Sequence, residues 1–88
     1  MVEVEVEIIN RAGIHTRPAS LIVKTAAKFK SEVFLNKDGF GINAKSIIGV
    51  MTMGAGKGTK LTITTDGEDE QEAAQAMSEL ISSGFGEP

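Results

Sequence analysis

The 88-residue sequence contains no cysteine, no tryptophan, no tyrosine and only one histidine. Without cysteine it can form no disulfide, thiolate nucleophile or cysteine-ligated zinc site, and a single histidine cannot build an imidazole-rich metal site. Nucleic-acid binding needs clustered cations and aromatic stacking surfaces, whereas this chain has a formal charge of −3 and four phenylalanines as its only aromatic residues. We therefore expect no metal, no cofactor and no direct contact with nucleic acid.

Long apolar runs are also missing. Residues 2–8 alternate valine or isoleucine with glutamate, unlike a signal peptide, and no run approaches the roughly 18 apolar residues of a membrane span. A chain of this length buries only about two-thirds of the surface that its unfolded form exposes, which leaves no room for a large internal cavity. We expect a cytoplasmic monomer without membrane insertion, formed by one domain over residues 1–88.

Hydrophobic periodicity predicts seven elements in the order βαββαβα. Alternating apolar residues indicate strands, and apolar residues spaced three and four apart indicate helices. The strands are predicted over residues 2–8, 33–35, 40–44 and 60–65, and the helices over residues 18–29, 46–53 and 69–83. Because the strands have one apolar side, all helices must cover the same sheet face. The predicted fold is α+β, an open-faced two-layer β-sandwich whose four-stranded antiparallel sheet is covered on one face by three helices.

A ferredoxin-like fold shares the first six of these elements and is a remote alternative. Its second helix must cross the sheet, whereas residues 46–53 span only about 12 Å at 1.5 Å per residue. The corresponding function, a ligand- or RNA-binding module, would need a long second helix or exposed aromatic side chains on the open sheet face, where the first strand presents glutamates.

His15 lies where a turn meets the first predicted helix. Pro18 is favoured in a first helical turn and disfavours helical angles at Arg17, so the helix should begin between residues 15 and 18. Unpaired backbone N–H groups and the helix dipole attract anions there and, with Arg17, disfavour an imidazolium. His15 is thus a candidate neutral nucleophile, whose phosphorylated form the backbone of Thr16 and Arg17 and the guanidinium would stabilise. A plain helix cap remains the alternative from local chemistry.

Two motifs point to a known family. The segment GIHTRPA, residues 13–19, resembles the active-site signature of HPr, the histidine-containing phosphocarrier family of the bacterial sugar phosphotransferase system. The segment NAKSIIGVM, residues 43–51, resembles the family's regulatory-serine motif, and the likeness in length and element order covers the whole chain. Thr16 stands where many members have alanine.

The resemblance implies a phosphocarrier and not an enzyme with its own turnover. His15 would accept a phosphoryl group on Nδ1 from Enzyme I, itself charged by phosphoenolpyruvate, and pass it to sugar-specific IIA components. Arg17 would steady the phosphoryl group during each transfer. A regulatory relative in a nitrogen-type phosphotransfer chain, without sugar transport, is the second functional hypothesis.

Ser46 is predicted to be the N-cap of the short helix, since serine is favoured there. The resemblance implies that in many bacteria a dedicated serine kinase/phosphorylase acts on this serine. The modified protein is then a corepressor for a catabolite-control transcription factor, and its phosphate would repel Enzyme I.

A partner docking surface is predicted around these two sites. It combines the outward side of the short helix with nearby positions on the first helix: Thr16, Ser20, Lys24, Ile47, Ile48 and Met51. Ordinary core packing of the short helix and a simple solvated face of the first helix are the alternatives.

Overall fold

The computed structural model describes all 88 residues and contains four strands and three helices in the predicted order. The strands are β1 (Val2–Glu7), β2 (Glu32–Lys37), β3 (Phe40–Asn43) and β4 (Lys60–Asp66). The helices are α1 (Thr16–Ala26), α2 (Ile47–Thr52) and α3 (Glu70–Ser82), followed by a 3₁₀ turn at Gly84–Gly86. The sheet has the order β1-β4-β2-β3 with every neighbouring pair antiparallel, which confirms the predicted open-faced α+β fold.

The core lies between one face of the sheet and the helices. In β4 the buried Leu61 and Ile63 alternate with the half-exposed Thr62 and Thr64, as the period of two predicted. The helices contribute buried residues to the same hydrophobic cluster: Ala19, Ile22 and Ala26 from α1, and Ala73, Met77 and Ile81 from α3. One sheet face is therefore covered and the opposite face is left open. No helix has both the length and the apolar character needed to cross a membrane.

All three helices are shorter than the sequence pattern predicted, α3 by one residue at each end. α1 ends at Ala26 instead of Phe29, because the N–H groups of Lys28 and Phe29 donate to carbonyls only three residues earlier and tighten the chain into a turn. Phe29 nevertheless packs against the core. α2 has six residues, about 9 Å of helix, and cannot cross the sheet. The ferredoxin-like alternative is therefore excluded.

The loop that carries His15 is held by the loop that follows α2. The backbone N–H of Ile14 donates to the carbonyl of Ala55 at 2.9 Å. Gly13 has a φ of 69°, and a Cβ added there would lie 2.6 Å from the Ala55 oxygen and 2.8 Å from Cα of Gly56. Only glycine permits this close approach, so Gly13 fixes the chain just before His15.

Asp69 joins the α1–β2 connection to the start of α3. Its carboxylate accepts hydrogen bonds from the backbone N–H groups of Lys30 and Ser31, both at 2.9 Å, and from the Ser31 hydroxyl. These bonds, the hydroxyl first, lower the pKa of Asp69 from 3.8 to about 2. The ionised carboxylate therefore favours the folded state.

We expect Asp69 to make the stability of the protein depend on pH in acid. Because its folded pKa of about 2 lies below the ordinary 3.8, its contribution is complete above about pH 4 and is lost as the pH falls toward 2. The Tm, followed by circular dichroism, should drop across that interval. Asp69→Asn should have a lower Tm near neutral pH and a shallower acid drop.

Asp38→Asn is the matched control, since Asp38 is exposed in the β2–β3 turn and forms no ion pair. It occupies the left-handed region with a φ of 51°, which asparagine also tolerates. An acid drop in Asp69→Asn as steep as that of the wild type would contradict the role assigned to Asp69.

Candidate functional site

His15 is the N-cap residue of α1, within the interval that the sequence predicted for the helix start. Its backbone is extended, with φ −107° and ψ −165°, and its carbonyl accepts the N–H of Ala19 at 2.9 Å. The imidazole makes no capping hydrogen bond to α1, and its side chain is 44% exposed. The backbone of His15 therefore begins the helix while the ring remains accessible.

The first turn of α1 provides backbone donors beside this ring. The N–H groups of Thr16 and Arg17 donate to no acceptor within the protein, and Pro18 has no N–H. These groups lie at the positive end of the helix dipole, where an anion is stabilised. The arrangement can receive phosphoryl oxygens next to the imidazole of His15.

A carboxylate that the sequence analysis did not identify lies against the same ring. Glu87 Oε1 is 2.8 Å from His15 Nε2, and Glu87 Oε2 accepts from Arg17 Nη1 at 3.0 Å. The Glu87 side chain is only 17% exposed. Glu87 is 72 residues from His15 along the chain, so no local motif or spacing signals the contact.

Glu87 reaches the site through the C-terminal segment, residues 84–88. Three successive residues have positive φ and turn the chain back after α3: Gly84 (70°), Phe85 (59°) and Gly86 (74°). Phe85 is 2% exposed and anchors the segment in the core. Its carbonyl accepts a second hydrogen bond from Arg17 Nη1, at 2.9 Å. Arg17 is therefore bound to the C-terminal segment through both Phe85 and Glu87.

The buried side chain of Asn10 connects the His15 loop to the C-terminal segment. It is 1% exposed, and its Nδ2 donates both to the carbonyl of Gly13 at 2.8 Å and to Glu87 Oε1 at 2.9 Å. The next residue, Arg11, donates its backbone N–H to the Pro88 oxygen at 2.8 Å. Asn10 Oδ1 is buried without a partner. The two segments are thus joined at consecutive positions.

The hydrogen bonds to Glu87 determine how the two ring nitrogens of His15 can act. The bond with His15, followed by those with Asn10 and Arg17, lowers the pKa of Glu87, so this carboxyl group is ionised at neutral pH. A carboxylate only accepts hydrogen bonds, so the imidazole must donate its Nε2–H. His15 Nδ1 has no hydrogen-bond partner in the protein, and in the neutral ring it carries a free lone pair.

Ser46 is the predicted N-cap of α2, where its Oγ accepts the N–H of Gly49 at 3.1 Å. The preceding Lys45 donates from Nζ to the carbonyl of Phe29 at 2.8 Å, so α2 begins near the end of α1. The loop beyond the other end of α2 contacts the loop of His15, as described above. Ser46 therefore lies at the end of α2 that is remote from His15.

The residues predicted for docking lie mostly at the surface. α2 carries three exposed apolar side chains: Ile47, Ile48 and Met51. Val50 and Met53 of the same segment are buried, because helical spacing places them on the opposite side. On α1, Thr16 and Lys24 are exposed, and Ser20 is partly buried. No group of three or more His, Asp or Glu side chains in the structure could hold a metal ion.

The sequence is similar to proteins of one known family. The family model described as the PTS HPr component phosphorylation site matches residues 2–83. Phosphocarrier protein HPr of Neisseria meningitidis is 45% identical over 87 residues, which cover 99% of this chain and 98% of that protein. HPr-like protein Crh of Halalkalibacterium halodurans is 47% identical over 81 residues, covering 92% and 96% respectively.

The fold is also similar to that of a solved structure. The crystal structure of HPr-C-His from Thermoanaerobacter tengcongensis matches with a TM-score of 0.95 and 46% identity, covering 100% of this chain and 99% of that one. With its histidine at the start of α1, the chain belongs to the HPr family of phosphocarrier proteins.

Proposed function

We propose that His15 carries the phosphoryl group of this phosphocarrier on Nδ1. The group comes from Enzyme I charged by phosphoenolpyruvate and passes to sugar-specific IIA components, in the cytoplasm, with the protein acting as a monomer. The observation that supports this most directly is that His15 Nδ1 has no partner and that the N–H groups of the next two residues, Thr16 and Arg17, have none either. As a member of its family the protein is a carrier and not an enzyme.

The proposed chemistry uses the ring and the first turn of α1. The Nδ1 lone pair attacks the phosphorus, the N–P bond forms, and the bond between phosphorus and the donor group breaks. The N–H groups of Thr16 and Arg17 hold the phosphoryl oxygens, on which negative charge is spread during transfer. The Arg17 side chain, which is 55% exposed, leaves the Phe85 carbonyl and adds its guanidinium to this site.

Substitutions at the two residues test these roles. His15→Ala should abolish phosphoenolpyruvate-dependent labelling by Enzyme I. Arg17→Ala should still be labelled, but about tenfold to a hundredfold more slowly, because a charged donor to the transferring group is lost. Rates are measured by rapid-quench transfer of ³²P, and circular dichroism verifies the fold.

Arg11→Ala controls for the loss of one arginine, since the Arg11 side chain is exposed and forms no ion pair. Undiminished labelling of His15→Ala would refute the assignment of the acceptor. A wild-type transfer rate in Arg17→Ala would remove Arg17 from the mechanism.

The exposed side of α2 and the adjoining part of α1 form the proposed docking surface for Enzyme I and the IIA components. Its residues are Thr16, Ser20, Lys24, Ile47, Ile48 and Met51. The three exposed apolar side chains of α2 supply the hydrophobic contact that such surfaces use, and the flexible thioether of Met51 adapts to different partners.

Ser46 is the proposed regulatory site of the same surface. A serine kinase/phosphorylase would add and remove its phosphate, and the phosphorylated protein would bind a catabolite-control transcription factor as corepressor. The phosphate would stand directly before Ile47 and Ile48, where its charge opposes Enzyme I. Because Ser46 is remote from His15, we expect it to change partner binding and not the chemistry of the ring.

Ser46→Asp separates binding from chemistry. Aspartate also caps helices, so the Tm should be nearly unchanged. The added charge should raise the KM of Enzyme I for this protein by about 5–10-fold through repulsion, with kcat within about twofold of the wild type. Gln71→Glu, which adds the same charge on exposed α3, is the control. Equal KM values for Ser46→Asp and the wild type would contradict both the switch and the placement of the docking surface.

A further inference from the structure

Glu87 is the one acidic side chain bonded to the ring of His15, and neither family motif includes it. We propose that Glu87 is a positioning residue that keeps the Nε2 proton on His15 while the phosphoryl group is loaded and unloaded. This inference rests on the proposed function, because it concerns the same ring after Nδ1 has been phosphorylated.

If the proton stays on Nε2, the phosphoryl group can be loaded and unloaded without any proton transfer. When Nδ1 gives its lone pair to phosphorus, the neutral ring that bears Nε2–H becomes a positively charged phosphoimidazolium. When the N–P bond later breaks, its electron pair returns to Nδ1, and the ring leaves as neutral imidazole. Loss of the Nε2 proton would instead require an imidazolate to leave, which is a far poorer leaving group. The loaded ring therefore needs a group that stabilises its positive charge at Nε2.

The Glu87 carboxylate is placed to stabilise this positive charge. Its Oε1 lies 2.8 Å from His15 Nε2 and is also held by the Asn10 amide at 2.9 Å. Its Oε2 accepts from Arg17 Nη1 at 3.0 Å. When Arg17 moves to the phosphoryl group, the Asn10 amide still holds Oε1 beside Nε2. With its side chain 17% exposed, the carboxylate is partly shielded from water, which strengthens its attraction for the ring.

The positive charges around the ring act in the opposite direction. The Arg17 guanidinium and the positive end of α1 both disfavour a positively charged imidazole. Arg11 and Lys24, the other cations of the His15 loop and of α1, form no ion pair, and no further acidic side chain pairs with His15 or Arg17. Among the protein groups bonded to the ring, Glu87 alone favours the protonated state of the phosphorylated form.

The test measures the pH at which the phosphorylated ring loses its Nε2 proton. Protein labelled with ¹⁵N-histidine is phosphorylated chemically with phosphoramidate, and the ring is titrated by ¹⁵N and ³¹P NMR. Glu87→Gln keeps an oxygen that accepts from Nε2 but removes the charge. We expect its titration midpoint to lie about one pH unit below that of the wild type. Glu5→Gln, on the exposed side of β1, removes the same charge elsewhere and should leave the midpoint unchanged.

Two further variants strengthen the measurement. Glu87→Ala removes the acceptor and should shift the midpoint at least as far as Glu87→Gln, whereas Glu87→Asp should restore part of the wild-type value. Glu87 follows Phe85, the last core residue, so these changes leave the hydrophobic core intact. Equal midpoints in the wild type, Glu87→Gln and Glu87→Ala would overturn the proposal.

Chemical phosphorylation also separates this inference from the proposed function. Phosphoramidate loads the histidine without any protein partner, so the midpoints decide the role of Glu87 even if Enzyme I fails to label the protein. Failure of that enzymatic labelling would instead contradict the proposed phosphoryl donor.

Discussion

The start of α1 at His15 is the constraint on which the rest of the site depends. Pro18 and the extended backbone of His15 decide where the helix begins. That position leaves the N–H groups of Thr16 and Arg17 unpaired and places the imidazole beside them. The close approach of Gly13 to the loop after α2 holds the helix start in place. A chain too small to enclose a cavity can thus bind an anion at its surface with backbone groups alone.

The C-terminal segment supplies a negative charge, opposite in sign to Arg17 and to the start of α1. The helix terminus and Arg17 attract a phosphoryl group, whereas Glu87 attracts the proton on the other side of the ring. The two nitrogens of His15 are therefore given different surroundings, with Nδ1 free and Nε2 bonded. Asn10 couples these surroundings, because one buried amide binds both the loop of His15 and the Glu87 carboxylate.

The parts of this structure that depend on residues close together in the sequence could be predicted from the sequence. The alternation along residues 2–8 indicated the open sheet face, and Pro18 indicated the helix start to within a few residues. Glu87 could not be predicted, because its contact with His15 depends on three left-handed residues after α3 and on the burial of Phe85. A glycine that follows a helix, such as Gly84, indicates where the helix ends but not the direction of the residues that follow it.

The most direct test of this account is to identify the ring nitrogen of His15 that carries phosphorus. In the phosphorylated, ¹⁵N-labelled protein, the one-bond coupling between ³¹P and ¹⁵N distinguishes the two nitrogens. We predict that phosphorus is bonded to Nδ1 while the proton remains on Nε2, beside Glu87. Phosphorus bonded to Nε2 would contradict the account, because the contact with Glu87 would then have to be absent during transfer.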